Sequence, residues 1–228
     1  MIDEEILAKR REEMVTSQIF QRGIRDPRLL QALREIPRHC FLPKNLSEQA
    51  YQDGALPIGL GQTISQPYIV AVMTDLLQLS GSETVLEIGT GSGYQAAVLS
   101  RMAAQVHSVE VIPALAETAA ETLCRLGIGN VQVHLGDGSA IGWQPGAPYA
   151  GILVTAAAPA VPAGLLEQLA AGGRLILPVG GNGGQELQRW TRGPDGFHLE
   201  NLFPVSFVPL RGEAGWSSGD WTVRPSSF

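Results

Sequence analysis

The sequence predicts an α/β fold: a Rossmann-like, doubly wound, mostly parallel sheet, with antiparallel strands near its C-terminal end and a helical extension before it. Three observations carry this. Short strand-like runs alternate with helical patterns from Thr84 to Val179, the signature of parallel strands joined by crossover helices. A glycine-rich turn, Gly89-Thr90-Gly91-Ser92-Gly93, joins the first of those strands to the next helix. Beyond Gly180, two strand-like runs flank Gly193-Pro194-Asp195-Gly196, which reads as a hairpin. No internal repeat or composition break divides the chain. Residues 1–228 therefore read as one domain, with a helical and loop extension over 1–80, the core over 81–210 and a tail over 211–228.

In order, residues 3–22 read as a helix with Ile6, Met14, Ile19 and Phe20 on its buried face. Asp26-Pro27 is a strong helix start, with Asp at the N-cap and Pro in the first turn. Leu29, Leu30, Leu33 and Ile36 form that helix's apolar stripe. From His39 to Gln66 no period is sustained, and Pro43, Gly54, Pro57, Gly59 and Gly61 break it up. A loop of that length is usually functional or disordered; Tyr51, Leu56 and Ile58 make it too apolar for disorder. Pro67 opens the next helix, with Gln66 near its N-cap and Ser65 just outside. The regular part follows: strands 84–88, 105–110, 131–135, 149–155 and 174–179, with helices 93–103, 113–126 and 162–171 between them. Val205–Leu210 reads as a last strand, and the tail from Arg211, with Trp216 and Trp221, has no clear period.

Composition narrows the function. Hydrophobic residues make up 44% and charged residues 17% of the chain, so it is globular. The net charge of -6 and pI of about 5.2 oppose nucleic acid as a partner, since such binders carry a basic footprint. The uncharged run from Tyr149 to Leu166 is broken by Gly151, Pro159, Pro162 and Gly164, so it reads as a strand and a helix start, not a membrane span. Cys40 and Cys124 share no paired spacing and read as two buried thiols. With no apolar signal core near the N-terminus, a cytoplasmic protein is expected. The four histidines form no metal-spaced or triad-like set, and no metal is expected.

The chemistry concentrates around Val85–Ala97. A buried strand, a glycine turn and a helix start make a cradle for a nucleotide, because the glycines admit close backbone approach and the helix end presents free N–H groups. The spacing Glu87-x-Gly89-x-Gly91-x-Gly93 departs from the dinucleotide fingerprint, whose third glycine position falls on Tyr94. A carboxylate at Glu87 repels a pyrophosphate but suits the sulfonium and ammonium of S-adenosylmethionine. Three acidic residues stand at three successive strand ends: Glu87, Glu110 and Asp137. Glu110 is placed to accept from both ribose hydroxyls and Asp137 from an adenine amino group, while Glu87 organises the loop and faces the methionine end. Acidic residues also cap strands and helices, and that plainer reading stands beside this one for each residue singly. Thr155-Ala156-Ala157-Ala158-Pro159 follows the fourth parallel strand; its small side chains leave room for a peptide backbone, or are packing filler.

The segments GQTISQP, VLEIGTGSGYQ, HLGDG, VTAAAP and GGRLILPVG together resemble the protein-L-isoaspartate O-methyltransferase family, from about Met14 to Leu210. VLEIGTGSGYQ is shared by many class I methyltransferases; GQTISQP, with ALPIG upstream, is far more specific. The resemblance implies a methyl transfer from S-adenosylmethionine to the free α-carboxyl of L-isoaspartyl residues in damaged proteins, followed by collapse of the ester to a succinimide. It implies that Ser65 is the active-site serine. Cofactor contacts are implied at Gln62, Thr63, Ile64, Glu87, Gly89, Thr90, Gly91, Ser92, Gly93, Glu110, Asp137 and Gly138. Substrate contacts are implied at Ile58, Ser65, Thr155 and Ala156. A monomer acting on damaged proteins and peptides, with no nucleic acid and no membrane, is the expected working state. The tail after Leu210 departs from the polar, basic ending common in the family, which leaves the closing wall of the site open. Another class I methyltransferase and a binding protein without turnover remain alternatives, with a dehydrogenase behind them.

Overall fold

The computed structural model describes residues 3–140, 142–217 and 221. Its centre is β3 (Thr84–Ile88), whose Val85, Leu86, Glu87 and Ile88 are all buried. Seven strands form one sheet. With β4 (Gln105–Glu110), β5 (Val131–Leu135), β6 (Tyr149–Val154), β7 (Leu169–Gly181), β8 (Gly184–Gly193) and β9 (Gly196–Val205), the order is β5-β4-β3-β6-β7-β8-β9. The first five in that order run parallel, and β8 and β9 are antiparallel additions. From β3 the chain builds outward through β4 and β5, then returns to lay β6 on the opposite side of β3. That reversal makes a topological switch point between β3 and β6, and ligands of open α/β sheets bind at the carboxyl ends of strands beside it.

Helices cover the sheet where the sequence starts them. Asp26 caps α2 (Pro27–Glu35), accepting from Arg28 N at 2.8 Å. Pro67 opens α3 (Pro67–Leu76) with Gln66 at the N-cap. The helix α4 (Tyr94–Leu99) begins at Gly93, and α5 (Pro113–Arg125) begins at its proline. The last helix, α6 (Ala163–Glu167), is a single turn and a half, shorter than the expected 162–171 because β7 begins at Leu169. The run from Tyr149 to Leu166 is therefore strand, loop and helix start. Among the described residues no helix is long and apolar enough to cross a membrane.

Four expectations are corrected. The first helix, α1 (Glu4–Glu13), passes into a π-helical turn over Met14–Phe20. Ser17 Oγ donates to Glu13 O at 2.6 Å and Gln21 N reaches Thr16 O, local bonding that competes with the ordinary ladder. The widened turn changes which side chains face inward: Leu7, Met14, Val15 and Ile19 are buried, while Ile6 and Phe20 are exposed. The loop 39–66 contains a hairpin, β1 (Leu56–Gly59) with β2 (Gln62–Ile64). Its tip, Gly59-Leu60-Gly61, holds three successive left-handed residues with φ of 91°, 54° and 71°, an arrangement costly for Leu60. Val205–Leu210 is not a further strand. Gln185 takes the Phe207 N–H at 2.7 Å and donates to Phe207 O at 3.0 Å, and Pro209 forms one isolated bridge to Ala157. The thiols are also less buried than expected: Cys40 is half-buried and Cys124 exposed, both free.

Candidate active site

The glycine turn leaves β3 at the switch point. Gly89, Gly91 and Gly93 all take positive φ, 95°, 54° and 87°, which L side chains rarely adopt. Each has its own neighbour. A Cβ on Gly89 collides with Thr155 Oγ1, which donates to Gly89 O at 2.5 Å. A Cβ on Gly93 meets Ala119 of α5 at 3.2 Å. Gly91 donates its N–H to Glu110 Oε2 at 2.8 Å, and the other oxygen of that carboxylate accepts from Ile112 N at 2.9 Å. Glu110, at the end of β4, thus clamps the turn from the neighbouring strand.

Around this turn lies a cleft, part of it open to solvent. Its floor is Ile88, Gly89, Thr90, Gly91 and Ser92. Val109, Glu110, Val111 and Ile112 form one wall, with Gly136, Gly138 and Ser139 beyond. Gln62, Thr63, Ile64 and Ser65 cover it from the hairpin side, Thr155 and Ala156 lie under β6, and Val208–Arg211 closes the rest. Most residues that the sequence assigned to the site therefore meet in one place.

Four do not line it. Ile58 stands beside the turn, its Cδ1 3.6 Å from where a Gly91 Cβ would stand. Gly93 serves the α4–α5 contact. Glu87 is fully buried behind the turn. It accepts from Ser108 Oγ, and its Oε1 has no partner among the described residues. Burial pushes its carboxyl up to about 8, opposed by the Ser108 hydrogen bond and reinforced by the Glu110 carboxylate. Asp137 is engaged by backbone N–H groups on both oxygens. Its Oδ1 accepts from Ser139 N at 2.9 Å and its Oδ2 from Glu213 N at 2.7 Å. Burial opposes its charge, but these bonds outweigh burial and hold the carboxyl below its ordinary value.

Ser65 stands between β2 and the start of α3 and lines two depressions at once. One is the cleft just described. The other is a groove between Asp53, Gly54 and Ala55 on one side and Pro204, Val205, Ser206 and Phe207 on the other. Thr63 is the other residue shared by both. None of the four histidines lines the cleft: His39 meets Tyr51 Oη at 2.7 Å, and His107 and His134 pair at 3.0 Å. Among the lining residues that sequence reading missed are Val111, Ile112, Ser139 and Val208–Arg211, with Val70, Gln95 and Val109 beside them. The first three continue motifs already noticed, but no period in the chain marks Val208–Arg211 as a wall.

These residues fit an adenosyl cofactor. Gly89 and Gly91 bring bare backbone to the floor, Val109, Val111 and Ile112 give the wall apolar surface for a purine, and Glu110 adds a carboxylate that can accept from hydroxyls. A class I fold with this cleft at its switch point defines an S-adenosylmethionine-dependent methyltransferase. The chain belongs to the protein-L-isoaspartate(D-aspartate) O-methyltransferase family, which matches residues 9–215. It is 56% identical over 213 residues to the protein-L-isoaspartate O-methyltransferase 1 of Rhodopseudomonas palustris (strain HaA2), covering 92% of this chain and 86% of that one. It is equally identical over 211 residues to the protein-L-isoaspartate O-methyltransferase of Methanospirillum hungatei, covering 92% and 97%. A solved protein-L-isoaspartate O-methyltransferase superposes with a TM-score of 0.81 at 31% identity, covering 90% of this chain and 67% of that one. A Plasmodium falciparum structure in complex with S-adenosyl-L-homocysteine shares the fold, with a TM-score of 0.76 at 24% identity and coverage of 88% and 98%.

Proposed function

We propose that this protein transfers a methyl group from S-adenosylmethionine to the free α-carboxyl of L-isoaspartyl residues in damaged proteins and peptides. The products are the methyl ester and S-adenosylhomocysteine. The observation that carries the reading is the position of Ser65 at the junction of the two depressions. The cofactor takes the cleft, the damaged peptide takes the groove, and the acceptor oxygen meets the methyl group where Ser65 stands.

The cofactor, when bound, supplies a methyl group on a sulfonium. The acceptor carboxylate, with a pKa of roughly 3.5, is already an anion at neutral pH. It needs no general base, which agrees with a cleft lined by no histidine. Catalysis then rests on alignment and exclusion of water, and such alignment supplies up to about 7–11 kcal/mol. The Ser65 hydroxyl donates to the acceptor carboxylate and orients it; with no base beside it, this serine is not a nucleophile. Gln62, Thr63 and Ile64 cover the cofactor, the Gly89–Ser92 backbone and Gly138 hold it from below, and Glu110 accepts from its ribose. Thr155 and Ala156 leave space beside the transferred group.

The same reading takes the chain as a single domain, because one hydrophobic cluster runs from Leu7 through α2, α3 and β3 to Leu187. It places the enzyme in the cytoplasm as a monomer that acts on protein and not on nucleic acid or membrane, consistent with its acidic charge.

The test is methyl transfer from labelled S-adenosylmethionine to matched peptides, one with L-isoaspartate and one with L-aspartate. Base-labile label on the isoaspartyl peptide alone is expected; label on neither, with cofactor bound, sinks the assignment. Ser65→Ala is expected to lower kcat about tenfold to a hundredfold, the worth of one hydrogen bond to a charged group, while the cofactor Kd stays near wild type. Unchanged kcat removes Ser65 from the reaction.

A further inference from the structure

The two chain neighbours of Ser65 are held by different means. Ile64, before it, is buried and pairs with Leu56 across the β1–β2 hairpin. Gln66, after it, is the N-cap of α3, and its backbone carbonyl accepts from Val70 N at 3.1 Å. Glutamine is not among the residues that usually cap a helix, and the side chain of Gln66 makes no cap bond. It reaches instead to Asp53, where Nε2 donates to Oδ1 at 2.7 Å. Asp53 and Gln66 both line the groove that Ser65 shares, so this bond is a strut in the wall of the groove.

The strut is anchored a second time. Arg22, just beyond the π-helical turn, donates from Nη1 to Asp53 Oδ2 at 3.0 Å and to Oδ1 at 3.3 Å. Its guanidinium carbon stands 3.8 Å from the centre of the Tyr68 ring, a cation–π contact, and Tyr68 is the second residue of α3. Asp53 thus meets the start of α3 along two routes, directly through Gln66 and indirectly through Arg22 and Tyr68. The side chains of Arg22 and Asp53 are 41% and 43% exposed, and exposed pairs add little to overall stability. What the four side chains supply is a fixed direction for the chain that leads from Ser65 into α3.

We propose that Asp53 is a positioning residue for Ser65: by holding the Gln66 side chain it fixes the backbone at the head of α3, and with it the direction in which the Ser65 hydroxyl meets the acceptor carboxylate. The inference rests on the reading of Ser65 as the group that orients that carboxylate. Asp53 and Gln66 line the groove and not the cleft, so the effect falls on turnover and leaves cofactor affinity alone. Turnover is the sensitive quantity, because a misplacement of about 1 Å caused by a remote change can cost about a hundredfold in rate.

The experiment compares Ser65→Ala, Asp53→Ala, Asp53→Asn, Gln66→Ala and the double variants Asp53→Ala/Gln66→Ala and Asp53→Ala/Ser65→Ala in the full chain. Initial rates with an L-isoaspartyl peptide give kcat and the peptide KM, and calorimetry gives the affinity for S-adenosylhomocysteine. Asp53→Ala and Gln66→Ala are each expected to lower kcat about threefold to tenfold, less than Ser65→Ala does, while the peptide KM and the S-adenosylhomocysteine affinity stay near wild type. Asp53→Asn keeps an acceptor for Gln66 and should recover most of the loss. The Asp53→Ala/Gln66→Ala variant should turn over no more slowly than the slower single one, because both changes break one strut. In the Ser65→Ala background, Asp53→Ala should cost nothing further, since the hydroxyl through which it acts is gone; a general loss of stability does not produce that result. Wild-type kcat in Asp53→Ala overturns the proposal, and so does a loss that persists undiminished in the Ser65→Ala background. A raised peptide KM in Asp53→Ala, with Gln66→Ala at wild-type rates, overturns it in favour of direct contact between Asp53 and the peptide. Wild-type kcat in Ser65→Ala marks the failure of the Ser65 assignment itself, and the role of Asp53 falls with it.

Discussion

Two turns border the cofactor cleft, and both are fastened by the same device. In the Gly89–Gly93 turn, Glu110 at the end of β4 accepts from Gly91 N and Ile112 N. In the Gly212–Gly215 turn, Asp137 beyond β5 accepts from Ser139 N and Glu213 N. Each carboxylate holds one N–H of its own local chain and one from a segment elsewhere. The difference lies in distance along the chain and in burial. Glu110 is buried and reaches back 19 residues. Asp137 is more accessible and reaches forward 76, to the exposed Glu213. These two strand-end carboxylates are thus fasteners of turns, whatever ligand contacts their remaining lone pairs make.

Breaking the buried fastener should have the largest effect. Glu110→Ala leaves the Gly91 and Ile112 N–H groups without an acceptor, at about 1–3 kcal/mol for each that stays dry. Calorimetry with S-adenosylhomocysteine should show binding weakened by about a hundredfold or more; affinity within threefold of wild type would mean that the turn keeps its shape unaided. Gly89→Ala tests the turn from the other side, through its φ of 95° and the collision with Thr155. A loss of about 1–3 kcal/mol is expected, read as a lowered Tm, and an unchanged melting curve contradicts the strain.

Glu87 sharpens the comparison, since it shares the strand-end placement but fastens no turn. Its carboxyl releases a proton at about 8 in the folded chain and near 4.5 when unfolded. Folding therefore retains a proton across that window, and stability falls as pH rises from about 4.5 to about 8. Glu87→Gln removes that dependence. Its Tm relative to wild type should improve from pH 5 to pH 8, and parallel curves would show that Glu87 does not titrate in this way. The smallest effect is expected far from both turns. Glu200→Ala breaks a pair with Arg189 on the outer hairpin; exposed pairs of this kind contribute about 1 kcal/mol or less, with no change expected in cofactor binding.

Periodicity was enough to read the five parallel strands, the glycine turn and the hairpin at Gly193–Gly196, because each is decided by neighbours in sequence. The helix starts at Pro27, Pro67 and Pro113 were legible for the same reason. What escaped is decided at long range. No period in the sequence marks the π-helical turn at Met14–Phe20, and Ile6 and Phe20 lie at the surface. The expected last strand was claimed by a side chain, Gln185, from β8. In the site, Glu110 is where its position predicted. Glu87 and Asp137 are at the right strand ends but face other partners, since the sequence shows where a carboxylate stands and not which N–H arrives to meet it. The wall at Val208–Arg211 is joined by backbone bonds to Ala157, about 50 positions away, which no local pattern encodes.

The closeness of Gly212 to Asp137 also bears on how this protein can diverge. A lineage that exchanged Asp137 for a smaller side chain would release Gly212 from its constraint. One that exchanged Gly212 first would meet an obstruction until position 137 changed. The steric coupling between the two positions thus favours one order of substitution over the other.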